Sequence, residues 1–134
     1  MADPSLELQG AIVARLKSDG TVTALVSTRI YDPVPAVATF PYVSIGPDDV
    51  ISDDADCVTG FEITVQLDVW SREPGYKQAK TIADAVRVSL HGYAFTLSAN
   101  AAVLFEHRVT RNFRDQDGLT NHSALTFTGF VEKH

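Results

Sequence analysis

The sequence predicts an α+β fold, with a mainly antiparallel sheet and two helices packed on one face of it. Two segments predict helices because their apolar residues recur three or four positions apart. Other segments alternate apolar and polar residues, which is typical of half-buried antiparallel strands. An Asp-Gly step between the last two of these segments indicates a hairpin. The chain has 134 residues, and we predict a single domain over 1–134 because domains usually contain about 100–200 residues.

The first predicted helix begins at Asp3-Pro4, because Asp is a good N-cap and Pro suits the first helical position. Gly20 is predicted to end it, and the apolar segment 22–26 is predicted to add one helical turn. The second helix is predicted from about 74 to 91, with Gly92 closing it. The apolar residues at helical spacing are Leu8, Ile12 and Leu16 in the first helix and Tyr76, Ala79, Ala83, Val86 and Leu90 in the second.

The clearest strand pattern covers residues 61–70, where apolar and polar residues alternate until Trp70, which falls on the polar side. The apolar face of this segment carries Phe61, Ile63, Val65, Leu67 and Val69, and the polar face carries Glu62, Thr64, Gln66 and Asp68. A further strand is predicted at about 40–46, after a proline-rich loop at 32–39. Two more are predicted at 101–113 and 119–131, on either side of the Asp-Gly step.

The acidic charge of the chain is concentrated in one segment. The net charge is -6, and residues 30–71 hold eight acidic residues but no lysine or arginine. We predict a long acidic loop at about 47–59, which contains Asp48, Asp49, Asp53, Asp54 and Asp56. No metal site is predicted, because the loop lacks the central glycine and terminal glutamate of an EF-hand. We expect the loop to be solvated, to meet a basic patch on a partner, or to line a passage for a polyanion.

The residue pattern predicts no catalytic site and no cofactor. The chain contains none of the short motifs of serine hydrolases, zinc proteases, phosphate-binding loops or dinucleotide-binding folds. Cys57 is the single cysteine and lies among aspartates, which disfavour a reactive thiolate. His107 and His122 lack the further ligands that zinc requires, and we interpret them as ordinary histidines. The acidic balance also argues against a domain that binds nucleic acid tightly.

The candidates for contacts with another subunit or partner are Trp70, Arg108, Arg111 and Arg114. Trp70 is either a binding anchor or a cover for the end of the sheet under the second helix. Strand alternation predicts Arg108 and Arg114 on one face and Arg111 on the other. The arginines either pair with acidic residues of their own hairpin or contact acidic residues of a neighbouring copy.

Neither a targeting segment nor a membrane segment is expected. The first residues lack the basic start and apolar run of a secretory signal. No apolar stretch approaches the roughly 18 residues that a membrane helix needs. We therefore expect synthesis in a cytoplasm and no contact with a membrane.

Four stretches of the sequence, in their order and spacing, resemble one family of tailed-phage proteins. They are Arg29-Ile30-Tyr31-Asp32 with Pro33 and Pro35; Phe40-Pro41-Tyr42-Val43-Ser44-Ile45-Gly46; Val69-Trp70-Ser71-Arg72 before a helix that ends Leu90-His91-Gly92; and Phe113-Arg114-Asp115-Gln116-Asp117-Gly118-Leu119-Thr120 with His122. Together they look like the tail-completion, or tail-terminator, proteins of siphophages, prophages and gene transfer agents. The resemblance covers nearly the whole chain, from the first helix to Val131.

The resemblance implies a structural virion protein with an α+β fold, which is not an enzyme and needs no cofactor. Such proteins close a hexameric ring at the head-proximal end of the tail tube, where they stop tube polymerisation and join the tail to the head. The implied partners are other copies of the chain, the tail tube protein and a head connector or stopper protein. DNA is expected to pass through the ring without specific binding, and assembly to take place in a bacterial cytoplasm. The alternative is a small ligand-binding or regulatory α+β domain.

Overall fold

The computed structural model describes residues 4–52, 60–97 and 103–132. Within these ranges the chain forms three helices and six strands. They are α1 (Pro4–Ser18), α2 (Gly20–Val26), β1 (Ile30–Tyr31), β2 (Tyr42–Ser52), β3 (Gly60–Ser71), α3 (Lys77–Leu90), β4 (Ala94–Phe95), β5 (Val103–Arg114) and β6 (Asn121–Glu132). The predicted α+β class is confirmed.

The described strands form one sheet in the order β1-β2-β3-β6-β5-β4. Only β1 and β2 run parallel, and every other neighbouring pair is antiparallel. The ladder between β3 and β6 is continuous from Gly60 opposite Glu132 to Ser71 opposite Asn121. The prediction of a mainly antiparallel sheet is therefore confirmed.

The alternation along β3 separates two faces of the sheet. Ile63, Val65, Leu67 and Val69 are buried in the core cluster, and we call this side the core face. The cluster also contains helix residues, namely Leu8, Ile12, Leu16, Val22, Val26, Ile82, Val86 and Leu90. Burying one such side chain stabilises the fold by about 1.5–3 kcal/mol. That the helices are restricted to this face stays a prediction.

The side chains of β3 that alternate with the core point to the other side of the sheet, which we call the open face. It carries Glu62, Thr64, Gln66, Asp68 and Trp70. Glu62 is exposed, whereas Asp68 is buried. The open face is therefore only partly a solvated surface.

The boundary between the first two helices differs from the prediction at Gly20. This residue does not end α1 but begins α2, because Asp19 acts as an N-cap whose Oδ1 accepts a hydrogen bond from the Thr21 N–H at 2.9 Å. The predicted helical turn at 22–26 is thus part of a seven-residue helix. For α3, the predicted limits of 74 and 91 are within three residues of the observed Lys77–Leu90.

The predicted acidic loop at 47–59 begins later than expected. β2 continues to Ser52 and pairs with β3 along this whole part, from Asp48 opposite Val65 to Ser52 opposite Phe61. Residues 48–52 are therefore strand, and the prediction of a loop there is wrong. The remaining predicted loop residues Asp53, Asp54 and Asp56, together with Cys57, lie outside the described residues.

The predicted hairpin between the last two strands is confirmed, since β5 and β6 pair antiparallel. Its turn is held by Asp117, whose Oδ1 accepts hydrogen bonds from the backbone N–H groups of Leu119 and Thr120 at 2.8 and 2.9 Å. Gly118 has a φ of 71°, a conformation that side chains disfavour. Because of this turn, β6 begins at Asn121, two residues after the predicted start.

Candidate functional site

A row of aromatic rings crosses the open face at the end of the sheet where β2 begins and β3 ends. Tyr42, Trp70, His122 and Phe113 lie opposite one another on β2, β3, β6 and β5. Successive ring centroids are 6.3, 3.8 and 4.5 Å apart, and Tyr31 of β1 extends the row at 5.7 Å from Tyr42. Cross-strand aromatic pairs stabilise a sheet and its register. We call these five residues the aromatic row.

A buried polar cluster adjoins the aromatic row. Asp68 Oδ1 lies 2.6 Å from His122 Nε2 and accepts a hydrogen bond from Gln66 Nε2 at 2.8 Å. Trp70 Nε1 donates to Ser44 Oγ at 2.9 Å. Asp68 is only 6% exposed, and a buried carboxylate requires such partners because its desolvation is otherwise costly. The cluster therefore connects β2, β3 and β6 by directional contacts.

Gly46 leaves the space that the Asp68 carboxylate occupies. A Cβ at Gly46 would lie 2.6 Å from Asp68 Oδ2 and 2.9 Å from the Gln66 carbonyl oxygen, both well inside van der Waals contact. The register of β2 on β3 shifts between Ile45 and Asp48, so Gly46 lies in a bulge. The glycine is needed here for close approach.

Trp70 lies on the open face within the aromatic row, opposite Tyr42 and His122, and its interpretation as a cover for the end of the sheet stays a prediction. Its ring stacks on His122 at an interplanar angle of 19°, and its side chain is half-buried. The interpretation as a binding anchor stays a prediction.

The three arginines of β5 are placed differently from the prediction. The register of β5 on β6 shifts between His107 and Val109, and this bulge changes the face on which the residues after it lie. Arg108 lies on the open face, where its Nε donates to Thr128 Oγ1 at 2.7 Å. Arg111 pairs opposite Ala124 and also lies on the open face. Arg114 lies on the other side. The expectation that Arg108 and Arg114 share a face is therefore wrong.

Arg114 is engaged with the start of α3 and the hairpin. Its guanidinium carbon lies 4.7 Å from the centroid of the Tyr76 ring, and its Nε donates to Asn121 Oδ1 at 3.0 Å. In the described part of the chain, none of Arg108, Arg111 and Arg114 forms an ion pair with an acidic residue of the hairpin. The hairpin carboxylates contact other partners instead: Asp117 lies 3.9 Å from Arg72, and Asp115 lies 3.9 Å from His122 Nδ1.

Those of the remaining candidate residues that the structure describes do not gather into a metal centre. Asp48 and Asp49 are exposed on β2, far along the strand from the aromatic row. His107 Nε2 lies 2.6 Å from Thr110 Oγ1, and burial lowers the pKa of His107 below its usual 6.5, with Arg87 and His91 adding to the effect. Over 4–52, 60–97 and 103–132, no group of three or more His, Cys, Asp or Glu side chains could hold a metal ion.

The sequence reasoning missed Asp68 and Ser44 as site residues. Asp68 follows the polar alternation of β3, so it looked solvent-exposed, and its partner His122 is 54 residues away in the chain. A pairing of β3 with β6 in the right register was the only signal that could have joined them. Among the described helices, none is long and apolar enough to cross a membrane.

Comparison with known proteins now identifies the family. The model of the family "Tail completion protein gp17" matches residues 10–132. The chain belongs to this family. A chain from a solved structure of the virion of a native gene transfer agent particle has the same fold, with a TM-score of 0.90 and 28% sequence identity. The match covers 98% of this chain and 99% of that one. No curated protein matches the sequence.

Membership of the tail completion family confirms the resemblance drawn from the four sequence stretches. The chain is a structural protein of the virion tail and not an enzyme. This assignment agrees with a surface whose distinct features are sheet edges, arginines and an aromatic row.

Proposed function

We propose that the chain is a tail terminator, which forms a homohexameric ring at the head-proximal end of a tail tube. There it stops tube polymerisation and joins the tail to the head connector or stopper protein. The observation that carries this proposal is the full-length similarity to a chain of a gene transfer agent virion, at a TM-score of 0.90, together with the family match. A fold alone does not define a function, but here both chains are matched end to end.

The charge distribution supports a ring around DNA. The net charge is -6, so the ring would present a surface that does not hold the phosphate backbone, because tight binding needs a basic surplus. DNA would therefore pass through the centre without specific contacts. Asp48 and Asp49, with Asp53, Asp54 and Asp56, are candidates for lining the passage or for contacting a partner.

The ring architecture requires two different surfaces on each subunit. In a cyclic assembly above a dimer, each copy contacts its two neighbours through unlike patches. The acidic β2 and the arginine-bearing β5 lie towards opposite edges of the sheet and provide such a difference.

The experiment is deletion of the gene from a particle-producing host, with electron microscopy of the tubes. We expect tubes of uncontrolled length that carry no heads, because nothing ends the tube or binds the connector. Complementation with the wild-type chain should restore tubes of uniform length attached to heads. Uniform, head-bearing tails in the deletion strain would contradict the proposal.

A further inference from the structure

Both long edges of the sheet are left partly unpaired. β1 pairs with β2 only at Val43 and Ser44, so no described strand covers the outer edge of residues 45–52. At the other end, β4 pairs with β5 only at Val103 and Leu104. Hydrogen bonds with residues 91–93 extend the contact along β5 to Phe105 and His107, and no further among the described residues. The outer edge of 108–114 is likewise open. Unpaired edges present backbone donors and acceptors that favour the addition of another strand.

The two open edges have opposite charge. Residues 45–52, which we call the acidic edge, contain Asp48 and Asp49 but no lysine or arginine. Residues 108–114, which we call the basic edge, contain Arg108, Arg111 and Arg114 but no acidic residue. Like charges opposite one another destabilise a strand pair, whereas unlike charges stabilise it. Two acidic edges or two basic edges would therefore repel each other, whereas an acidic edge and a basic edge would attract each other.

The charges also match face by face. Asp49 pairs opposite Thr64 and lies on the open face, as do Arg108 and Arg111. Asp48 pairs opposite Val65 and lies on the other side of the sheet, as does Arg114. If the sheet continued from one copy into the next, acidic and basic side chains would meet on both of its faces.

Exposed apolar side chains accompany the charges on both edges. Val50 and Ile51 are 40% and 56% exposed on the acidic edge, and Val109 and Phe113 are 45% and 37% exposed on the basic edge. Large apolar residues beside charged ones are typical of protein interfaces. Pairing the edges would remove this apolar surface from water, while the charges would select the partner.

The strand directions allow the two edges to join. β2, β3, β6 and β5 alternate in direction, so β2 and β5 run antiparallel within one sheet. A second copy that continues the sheet therefore offers its β5 antiparallel to β2. Because β1 and β4 cover opposite ends of the sheet, neighbouring copies must be staggered along the strands, as closed sheets generally require. Pro47 has no N–H to donate, so backbone pairing would begin at Asp48.

We propose that copies of this chain join head to tail by pairing the basic edge of one copy with the acidic edge of the next. The inference rests on the proposed ring and supplies its subunit contact. Pairing of unlike edges is heterologous, so it excludes a two-fold dimer and leads to a closed ring or an open filament. The partner of each edge is a second copy of this chain.

The test uses two charge-reversed variants of the full chain. In the first, Asp48→Arg with Asp49→Arg makes both edges basic; in the second, Arg108→Glu with Arg111→Glu makes both edges acidic. Each variant alone should self-associate at least about tenfold more weakly than the wild type in sedimentation velocity. An equimolar mixture should recover the wild-type assembly, because each variant supplies the edge that the other lacks.

Matched controls separate edge pairing from net charge. Asp32→Arg with Glu73→Arg and Lys17→Glu with Lys77→Glu make the same charge changes at exposed positions outside residues 45–52 and 108–114, and both should assemble normally. Circular dichroism must show wild-type folding for every variant. Normal assembly of either edge variant alone, or a mixture that stays dissociated, overturns the proposal.

Failure of the edge contact is distinguishable from failure of the terminator function. If the wild type ends tubes but the folded edge variants still assemble as it does, only the edge proposal fails. If charge reversal and mixing behave as expected but the deletion strain makes normal tails, only the terminator proposal fails. Loss of binding to tail tube protein with unchanged self-association would assign the edges to another partner and overturn the inference.

Discussion

The two faces of β3 are built from alternate residues of one strand, yet they are held together differently. The core face is filled by apolar side chains, with Leu67 and Ile63 fully buried among residues of the helices. The open face instead buries Asp68 and His122 beside a row of rings. Apolar packing is non-directional and depends on area, whereas the contacts of the open face are directional. Both faces therefore contribute to the alignment of β2, β3, β6 and β5, the core face by burial and the open face by directional contacts.

This difference bears on how an assembly protein can keep an edge available. A sheet whose register is fixed from within by Asp68, His122 and the aromatic row can present an open edge without sliding along its own neighbours. The buried core face already specifies the register strongly, and the contacts of the open face add to it. Two experiments distinguish the faces, and a third tests the hairpin turn beside them.

The largest effect is expected on the core face. Phe127 is fully buried on β6, and its ring stacks on Phe105 with centroids 5.0 Å apart. We expect Phe127→Ala to lower the free energy of unfolding by about 3–5 kcal/mol, because it removes apolar contacts and leaves a cavity. Urea denaturation measures the change. Phe130→Ala is the control, since Phe130 lies on the open face of the same strand and is 43% exposed; an equal loss there would contradict the distinction between the faces.

A smaller effect is expected from the polar cluster. Asp68→Ala removes the acceptor that His122 Nε2 and Gln66 Nε2 share, and we expect a loss of about 1–3 kcal/mol because buried polar groups are left without partners. Denaturant unfolding again provides the measurement, and Glu62→Ala, an exposed carboxylate on the same face of β3, serves as the control. Equal stabilities for the two variants would mean that the cluster contributes nothing.

The smallest effect concerns the hairpin turn beyond the aromatic row. Hydrogen bonds from the Thr120 N–H, the Leu119 N–H and the Thr120 hydroxyl lower the pKa of Asp117 from 3.8 to about 2. Because the folded-state pKa is depressed, the stabilisation by these bonds is complete well above pH 3.8 and is lost as the pH falls through about 2. Carboxyl NMR titration should show this pKa, and Thr120→Ala should raise it. A titration of the wild type near 3.8 would contradict the turn geometry.

The sequence predicted best what depends on local pattern. The alternation along β3 identified its core face, the helical spacing located α3 within three residues, and the Asp-Gly step located the hairpin. These features follow from periodicity and turn chemistry, which neighbouring residues determine. The family resemblance came from the same local stretches.

The sequence could not predict what depends on contacts between distant strands. The extension of β2 through Asp48 and Asp49 looked like a loop, because adjacent acidic residues are depleted in strands but tolerated on a sheet edge. The bulge between His107 and Val109 has no signal in the local sequence, yet it reverses the face on which Arg111 and Arg114 lie. The Asp68–His122 contact required the register of β3 on β6.

The central claim is that this chain closes a ring that ends a tail tube. Native mass spectrometry of the assembly released from purified tails tests it most directly. The account predicts one discrete homohexamer of the 14.6 kDa chain and no higher oligomers. A monomer alone, or an open-ended ladder of sizes, would contradict it.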